Sequence, residues 1–403
     1  MNQSQSSRYD NIQYENALNV PAVIFDTERI KSVELFRVQR GNVPALRLTS
    51  ADKLTLNFDE ISDETNIFRV KITHHNADWT ESTVLSNFFE TGFSEDTIVN
   101  GTPSVIGDIS YFSYSYSFPN RDFGMRISGN YLLHVLDYNS GDTLFSLPFI
   151  VYEDRGALRV SIEDVYDFSA IPYHQIFATY QYPDFILIPQ SDLTFHYVQN
   201  QNWGRYQVPS EMDASTQGEI RKHQQRDEAF TARYEFRSLD INSIYSPGSD
   251  VLEVLPERKP PLIRMQYDVV DLDINPRQSR SYRFGDPLND RKARYIQVEF
   301  NLDRPNWIHS ETPIYVVGPF NNWQISESYR MSYIRESDAF RASPLIKEGR
   351  YDYKYVTIEN NKINDLSLDA FFASTRQYYQ VIVYFHDQQE GYDRVLQFTN
   401  IQR

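Results

Sequence analysis

Strict alternation of aromatic and serine residues between positions 112 and 118 is the feature that most narrows the fold of this chain. Single serines separate four aromatic residues, which are Phe112, Tyr114, Tyr116 and Phe118. Successive side chains of a strand point to opposite faces, so this pattern gives one apolar and one polar face. It predicts a half-buried antiparallel strand rather than a helix.

The same period of two recurs along the whole chain. Short runs rich in aromatic and β-branched residues are bounded by Asn, Asp, Gly or Pro, as strands usually are. The other predicted strands lie at 54–58, 68–72, 131–136, 185–188, 296–302, 314–317, 351–356, 381–385 and 395–398. Helical periodicity is scarce. We therefore predict an all-β fold of tandem immunoglobulin-like or early-set antiparallel β-sandwich domains.

Changes in composition predict three domains, at 18–155, 156–291 and 292–403. A charged turn containing Gly156 follows a predicted strand and marks the first boundary. A polar connector rich in Arg and Asp, between 271 and 292, marks the second. Residues 210–226 are almost devoid of apolar side chains, so we predict a solvated excursion there rather than part of a core.

Composition excludes several classes of function. The 403 residues include 55 acidic and 39 basic side chains, and the resulting net charge of −16 repels nucleic-acid phosphates. Without cysteine, no disulfide, thiolate metal site or cysteine nucleophile is possible. No apolar run approaches the roughly 18 residues of a membrane-spanning helix. We expect neither a nucleic-acid partner nor direct insertion into a membrane.

No motif for a serine nucleophile, a zinc protease or a phosphate-binding loop is present. Isolated carboxylate pairs occur at predicted turns, as expected in an acidic chain, and no second landmark accompanies them. We therefore expect no catalytic residue, no cofactor and no enzymatic activity.

The adjacent histidines His74 and His75 are the obvious candidates for a metal site. His74 shares the strand phase of Val70 and Ile72, so His75 should point to the opposite face and the two rings should not converge on one ion. We expect no metal here, with His74 partly buried and Trp79 as a core anchor.

A strand, a Gly-Pro turn and an Asn-Asn loop precede Trp323. The segment 318–323 resembles the Gly-x-Phe-Asn-x-Trp signature of early-set domains, including glycogen-binding modules, and 349–355 resembles their following strand. In those modules a tryptophan at this place stacks on sugar. We interpret Trp323 as a structural pin, with a sugar platform or a protein contact as alternatives. The candidate contact residues are Asn321, Asn322, Trp323 and Trp307.

Ordered motifs along nearly the whole chain resemble one family, the plug protein of the type IX secretion system of Bacteroidota. One of them is the His-Asn-Ala-Asp-Trp sequence at 75–79. The others lie at 30–35, 44–48, 54–59, 92–93, 116–120, 128–133, 235–241, 320–323 and 392–394.

The resemblance implies a non-enzymatic periplasmic protein. It would dock on the periplasmic opening of the outer-membrane β-barrel translocon of that system and close the pore while no substrate is in transit. Residues 1–7 are polar and contain no export signal, so for a periplasmic protein we expect the signal to have been trimmed away. The alternative function is that of a carbohydrate-binding β-sandwich module at the cell surface, which the loop before Trp323 suggests.

Overall fold

The computed structural model describes residues 22–38, 42–166, 172–232, 236–246, 248–270, 285–288, 292–369 and 377–403. The polar leader and most of the predicted connector between 271 and 292 lie outside these ranges. Within them the protein is an all-β structure, as predicted, and its sheets are mainly antiparallel, with two parallel strand pairings.

The first sandwich contains strands β1 to β12 and one short helix. The strands are β1 (Val23–Ile24), β2 (Ile30–Arg37), β3 (Ala45–Arg47), β4 (Leu54–Ile61), β5 (Phe68–His75), β6 (Glu90–Gly92), β7 (Asp96–Ile98), β8 (Thr102–Pro103), β9 (Tyr111–Phe118), β10 (Phe123–Met125), β11 (Gly129–Asp137) and β12 (Thr143–Tyr152). Helix α1 is Ser86–Phe89. One sheet has the order β1-β12-β11-β5-β7, with β3 beside β12, and the other has the order β2-β4-β9-β8.

The aromatic and serine alternation is strand β9, which lines the core between the two sheets. Tyr114 pairs in register with Phe58 of β4, and their rings stack 5.1 Å apart. Tyr111, on the other face of β9, is also buried, and its hydroxyl donates to the carbonyl oxygen of Ala293. The face of β9 predicted to meet water is therefore covered in part by another sandwich.

The second sandwich begins with strands β13 to β18. They are β13 (Ala157–Tyr166), β14 (Pro172–Gln181), β15 (Leu193–Gln199), β16 (Glu211–Asp213), β17 (Glu219–His223) and β18 (Phe230–Thr231). Helix α2 is Pro189–Asp192. One sheet has the order β13-β14-β17-β16, with β18 beside β14.

The third sandwich is formed by strands β19 to β29. They are β19 (Arg237–Asp240), β20 (Val251–Leu255), β21 (Leu262–Asp268), β22 (Gly285–Pro287), β23 (Tyr295–Asp303), β24 (Ile314–Val317), β25 (Ser332–Ile334), β26 (Ala339–Ala342), β27 (Leu345–Lys347), β28 (Gly349–Glu359) and β29 (Lys362–Asn364). Its two sheets centre on β23 and β28 and enclose one apolar core. Single 3-10 turns lie at Trp203–Arg205, Arg226–Glu228, Pro319–Asn321 and Glu327–Tyr329.

The last hairpin, β30 (Tyr378–Asp387) and β31 (Tyr392–Gln402), returns to the second sandwich. Strand β30 pairs with β15, which gives a sheet of order β15-β30-β31. The core between this sheet and β14 contains Tyr180, Tyr197 and Tyr379. Strands from the second and third predicted domains thus share one sheet. The limits of the three domains stay a prediction.

Two local predictions were wrong. Residues 185–188 form no strand, because Pro183 and Pro189 bound the run and the chain turns between them. Residues 210–226 contain β16 and β17, and Ile220 is fully buried in the second core. Charged side chains dominate these strands because their other face lies in solvent.

Gly129 opens β11 where that strand passes directly over His74. Its φ is +155°, and a Cβ there would lie 2.1 Å from the His74 ring atom Nε2. The His74 ring cannot yield easily, since it lies 5.0 Å from Tyr131 and 5.2 Å from Tyr392. Only glycine is compatible with this approach.

We predict that Gly129→Ala lowers the free energy of unfolding by about 2–4 kcal/mol, through overpacking and an unfavourable φ. The matched control is Gly218→Ala, which also has a positive φ but has open space around its Cβ. It should cost only about 1 kcal/mol. Urea unfolding measures both, and equal losses would contradict the proposed clash.

Candidate functional site

The loop before Trp323 is closed by its own hydrogen bonds. The backbone N–H of Gly318 donates to Oδ1 of Asn321 (2.9 Å), whose Nδ2 donates to the carbonyl oxygen of Val316 (3.0 Å). The N–H of Trp323 donates to the carbonyl oxygen of Gly318 (2.8 Å). Asn322 and Trp323 adopt positive φ values of 52° and 58°. Asn321 therefore has a structural role at this turn.

The side chain of Trp323 is 5% exposed and packs edge-on against Phe236, with ring centroids 5.4 Å apart. Sugar stacking requires an open aromatic face. Ligand binding at Trp323 stays a prediction, and it would require the loop to open. Trp307 is 43% exposed and lies on a separate turn between β23 and β24.

The loop also makes a contact within the chain. Gln324 and Ile24 exchange two hydrogen bonds: the Ile24 N–H donates to Oε1 of Gln324 (2.8 Å), and Nε2 of Gln324 donates to the Ile24 carbonyl oxygen (3.0 Å). Nearby, the Ser328 hydroxyl donates to the Glu28 carboxylate (2.6 Å). The loop therefore helps to join the third sandwich to the first.

His74 and His75 point to opposite faces of β5, as predicted. Nδ1 of His74 lies 2.8 Å from the Ser82 hydroxyl oxygen, and burial lowers the pKa of His74 to about 4. The His75 ring contacts Thr73 and the carbonyl oxygen of Trp79, each at 2.8 Å. Within the described ranges, no group of three or more His, Asp or Glu side chains is placed to hold a metal ion.

A buried polar cluster joins the first sandwich to the third. The Lys347 ammonium and the Tyr295 hydroxyl both donate to Oδ2 of Asp59, each at 2.7 Å. The Ser113 hydroxyl donates to Oδ1 (2.6 Å), and Ser32 and Tyr295 share a hydrogen bond of 2.7 Å. The side chains of Asp59 and Lys347 are 4% and 5% exposed. We call these five residues the polar junction.

The polar junction is suited to joining the two sandwiches rather than to catalysis. Both oxygens of Asp59 accept hydrogen bonds, and Nζ of Lys347 also lies 4.6 Å from the centre of the Tyr111 ring. Burial raises the pKa of Tyr295 well above its usual range, so the phenol stays protonated and keeps donating. A cavity of about 350 Å³ lies beside the junction, and Ser, Asn and Thr make up seven of its fifteen lining residues.

A second junction joins the first sandwich to the last hairpin. Arg394 and Glu153 form a bidentate ion pair, with distances of 2.8 Å from Nε to Oε1 and 2.7 Å from Nη2 to Oε2. The hydrogen bond to Glu153 raises the pKa of Arg394. The Tyr384 hydroxyl donates to Oδ1 of Asn130 (2.9 Å), and Asp393 accepts from the backbone N–H at position 77 (3.0 Å). The first sandwich is thus fastened to both of the others.

Sequence reasoning missed both junctions. Asp59 follows Phe58 in an alternating strand, where the pattern places it in water. Arg394 fell within a family motif but had no role assigned to it. No local signal pairs either residue with its partner, because each contact joins distant parts of the chain. Among the described residues, no helix has the length and apolar character needed to cross a membrane.

Comparison with known proteins matches residues 30–153 to the family described as "Type 9 secretion system plug protein 1st domain". No curated protein matches the chain. A crystal structure of a hypothetical protein from Parabacteroides merdae aligns with a TM-score of 0.83 and 21% sequence identity, covering 95% of this chain and 99% of that chain. That likeness shows the fold. The family match confirms the resemblance over residues 30–153, and the motifs at 235–241, 320–323 and 392–394 lie outside the matched range.

We predict that Lys347→Met lowers the free energy of unfolding by about 3 kcal/mol, because Asp59 stays buried without its cation. The control is Arg350→Met. Arg350 pairs with Asp240 at 2.9 Å, but these side chains are 61% and 38% exposed. Its loss should cost less than about 1 kcal/mol. Urea unfolding compares the two, and similar losses would show that the polar junction contributes no more than a surface pair.

Stability should also fall as the pH drops from about 6.5 toward 4. Burial lowers the pKa to about 4 in four histidines, which are His74, His134, His174 and His196. Unfolded histidines titrate near 6.5, so in this window the unfolded chain takes up protons that the folded chain does not. Burial raises the pKa of Glu90 to about 7, so this one group opposes the trend.

His196→Phe tests this pH dependence. The imidazole stacks on Tyr206 with centroids 3.9 Å apart, and phenylalanine preserves a ring there. Between pH 5 and 6, the variant's unfolding free energy should change less steeply with pH, by about 1.2 kcal/mol per pH unit. Urea unfolding at several pH values measures the slope. Tyr206→Phe is the control and should keep the wild-type slope, and an unchanged slope in His196→Phe would refute the assignment.

Proposed function

We propose, from the membership of residues 30–153 in the type 9 secretion system plug family, that this chain is a non-enzymatic periplasmic plug. It docks on the periplasmic opening of the outer-membrane translocon and closes the pore when no substrate is present. The family match carries this proposal, since it associates the chain with that secretion system and with the cell envelope.

The two junctions support a plugging role. A protein that closes a pore must keep its shape when molecules press against it. The polar junction and the pair of Glu153 with Arg394 fasten the first sandwich to the third sandwich and to the last hairpin. Buried ion pairs of this kind are costly to break, because separation leaves a charge without its partner. The described sandwiches are therefore expected to move as one body.

The charge of the chain is also consistent with reversible docking. A net charge of −16 keeps copies apart and opposes adsorption to anionic lipid. Transient interfaces are about as apolar as ordinary protein surface, so such a protein needs no large apolar face to bind. These properties suit a protein that associates with a membrane channel and is later released.

Purification of the translocon from the native host tests the proposal. Translocon isolated while substrate synthesis is blocked should contain this chain, and translocon loaded with substrate should contain less of it. Deletion of the gene should raise outer-membrane permeability to a large, normally excluded antibiotic, and re-expression should reverse this. If the chain is absent from the isolated translocon and deletion leaves permeability unchanged, the proposal is wrong.

A further inference from the structure

A short segment of the first sandwich exposes three large apolar side chains. Leu85, Phe88 and Phe93 are 67%, 61% and 66% exposed. Helix α1 and strand β6 fix this segment, since Phe89 is buried in the core and β6 pairs with β10. The backbone N–H of Phe93 donates to the carbonyl oxygen of Asp122 (2.7 Å). The backbone thus holds the apolar side chains in solvent.

The second sandwich has a similar segment at 185–188. Phe185, Leu187 and Ile188 are 42%, 84% and 58% exposed. Between them, Ile186 is buried in the second core and the following Pro189 is also buried. The inward-facing residues therefore anchor this segment. The strand prediction at 185–188 was wrong because most of its apolar residues face outward.

The last hairpin lies between the two segments. Near its turn, Phe385 packs against Phe185 with centroids 5.5 Å apart, and the Arg394 guanidinium lies 5.3 Å from the Phe185 ring. On the other side, Tyr392 lies against His74, whose ring is 5.8 Å from that of Phe89. The segments thus flank one hairpin turn at the junction of the first and second sandwiches.

We propose that these exposed residues form one docking surface for a protein partner that presents an apolar groove bordered by Lys or Arg. We call this surface the apolar rim, and it consists of Leu85, Phe88, Phe93, Phe185, Leu187 and Ile188. The inference rests on the proposed function, under which the partner is the translocon. It adds which face of the chain makes the contact and what chemistry the partner supplies.

The charge around the rim indicates the basic border. Residues 80–100 contain four acidic side chains, residues 181–193 contain two, and residues 386–393 contain three. None of these three segments contains Lys or Arg. Arg121 and Arg126 flank β10 beside the first segment. Arg69 pairs with Glu95, and Arg394 pairs with Asp387 beside Phe185. These four basic side chains are too few to balance the nine acidic ones. A second copy would bring like charges together, and an anionic lipid surface would repel the rim.

The size of the rim suits a protein interface. A standard-size interface takes about 800 Å² from each partner. The rim has six large apolar side chains, five of them more than half exposed, which supply much of that area. Aromatic residues are favoured as binding hot spots. Apolar exposure on this scale marks interaction sites more often than it arises by chance.

Variants of the rim test the inference with the full-length chain. Leu187→Ser with Ile188→Ser, and Phe88→Ser with Phe93→Ser, should each reduce recovery with the purified translocon at least tenfold. The matched control is Leu252→Ser with Val269→Ser on the third sandwich, whose side chains are 56% and 61% exposed. It should bind as the wild type does. All variants should keep the wild-type circular dichroism and melting temperature, since only exposed side chains change.

A charge variant tests the basic border separately. Asp184 is exposed beside the second segment. Asp184→Lys should weaken binding severalfold at low salt, and the difference from the wild type should shrink as salt rises. A variant that binds as well as the wild type at every salt concentration overturns the charge assignment.

The outcomes separate the inference from the function on which it rests. If wild-type chain binds the translocon and the rim variants bind equally well, the rim is wrong and the plug function stands. If wild-type chain does not bind, both fall. Flotation with phosphatidylethanolamine and phosphatidylglycerol vesicles should recover no protein, and rim-dependent flotation would assign the surface to lipid instead. Rim-dependent dimers in analytical ultracentrifugation would assign it to a second copy.

Discussion

The pairing of β30 with β15 is the contact on which the arrangement of the whole molecule depends. It completes the second sandwich with strands from the end of the chain. The same hairpin carries Arg394, which binds Glu153 of the first sandwich, and Tyr384, which donates to Asn130. Because the chain between β18 and β30 contains the third sandwich, closure of this sheet fixes both chain ends of that unit. One antiparallel ladder therefore constrains the positions of all three sandwiches.

The contacts between sandwiches combine apolar and polar groups that serve different purposes. Ile150 and Trp203 belong to an apolar cluster shared by the first and second sandwiches, which favours association without fixing its geometry. Directional bonds around Asp59, with donors from Lys347 and Tyr295, admit only a narrow range of relative positions. Buried polar groups of this kind contribute modestly to net stability, yet a misaligned arrangement leaves them unsatisfied and is disfavoured. Together, these contacts fix one relative position of the sandwiches.

Local alternation predicted most strands, because burial of one face repeats every second residue. It placed β4, β9 and the opposed rings of His74 and His75 correctly. It failed at 185–188, where two prolines stop the ladder and three of the four apolar residues face solvent. It also failed at Ile220, a core residue in the otherwise polar strand β17. The polar junction could not be predicted, because no local sequence pattern indicates that Lys347 lies next to Asp59 in the fold. The sequence motif predicted the loop before Trp323. It could not predict that the Trp323 side chain is buried against Phe236, because that packing depends on a distant part of the chain.

Acidity and apolar exposure act together at the hairpin turn. Apolar residues alone would bind many surfaces, including other copies of the chain and the nearby membrane. Carboxylates around the same residues penalise acidic and anionic surfaces while leaving a partner with basic side chains unaffected or favoured. Specificity then comes from rejection as much as from attraction. A protein that binds its partner reversibly requires this kind of selection more than it requires high affinity.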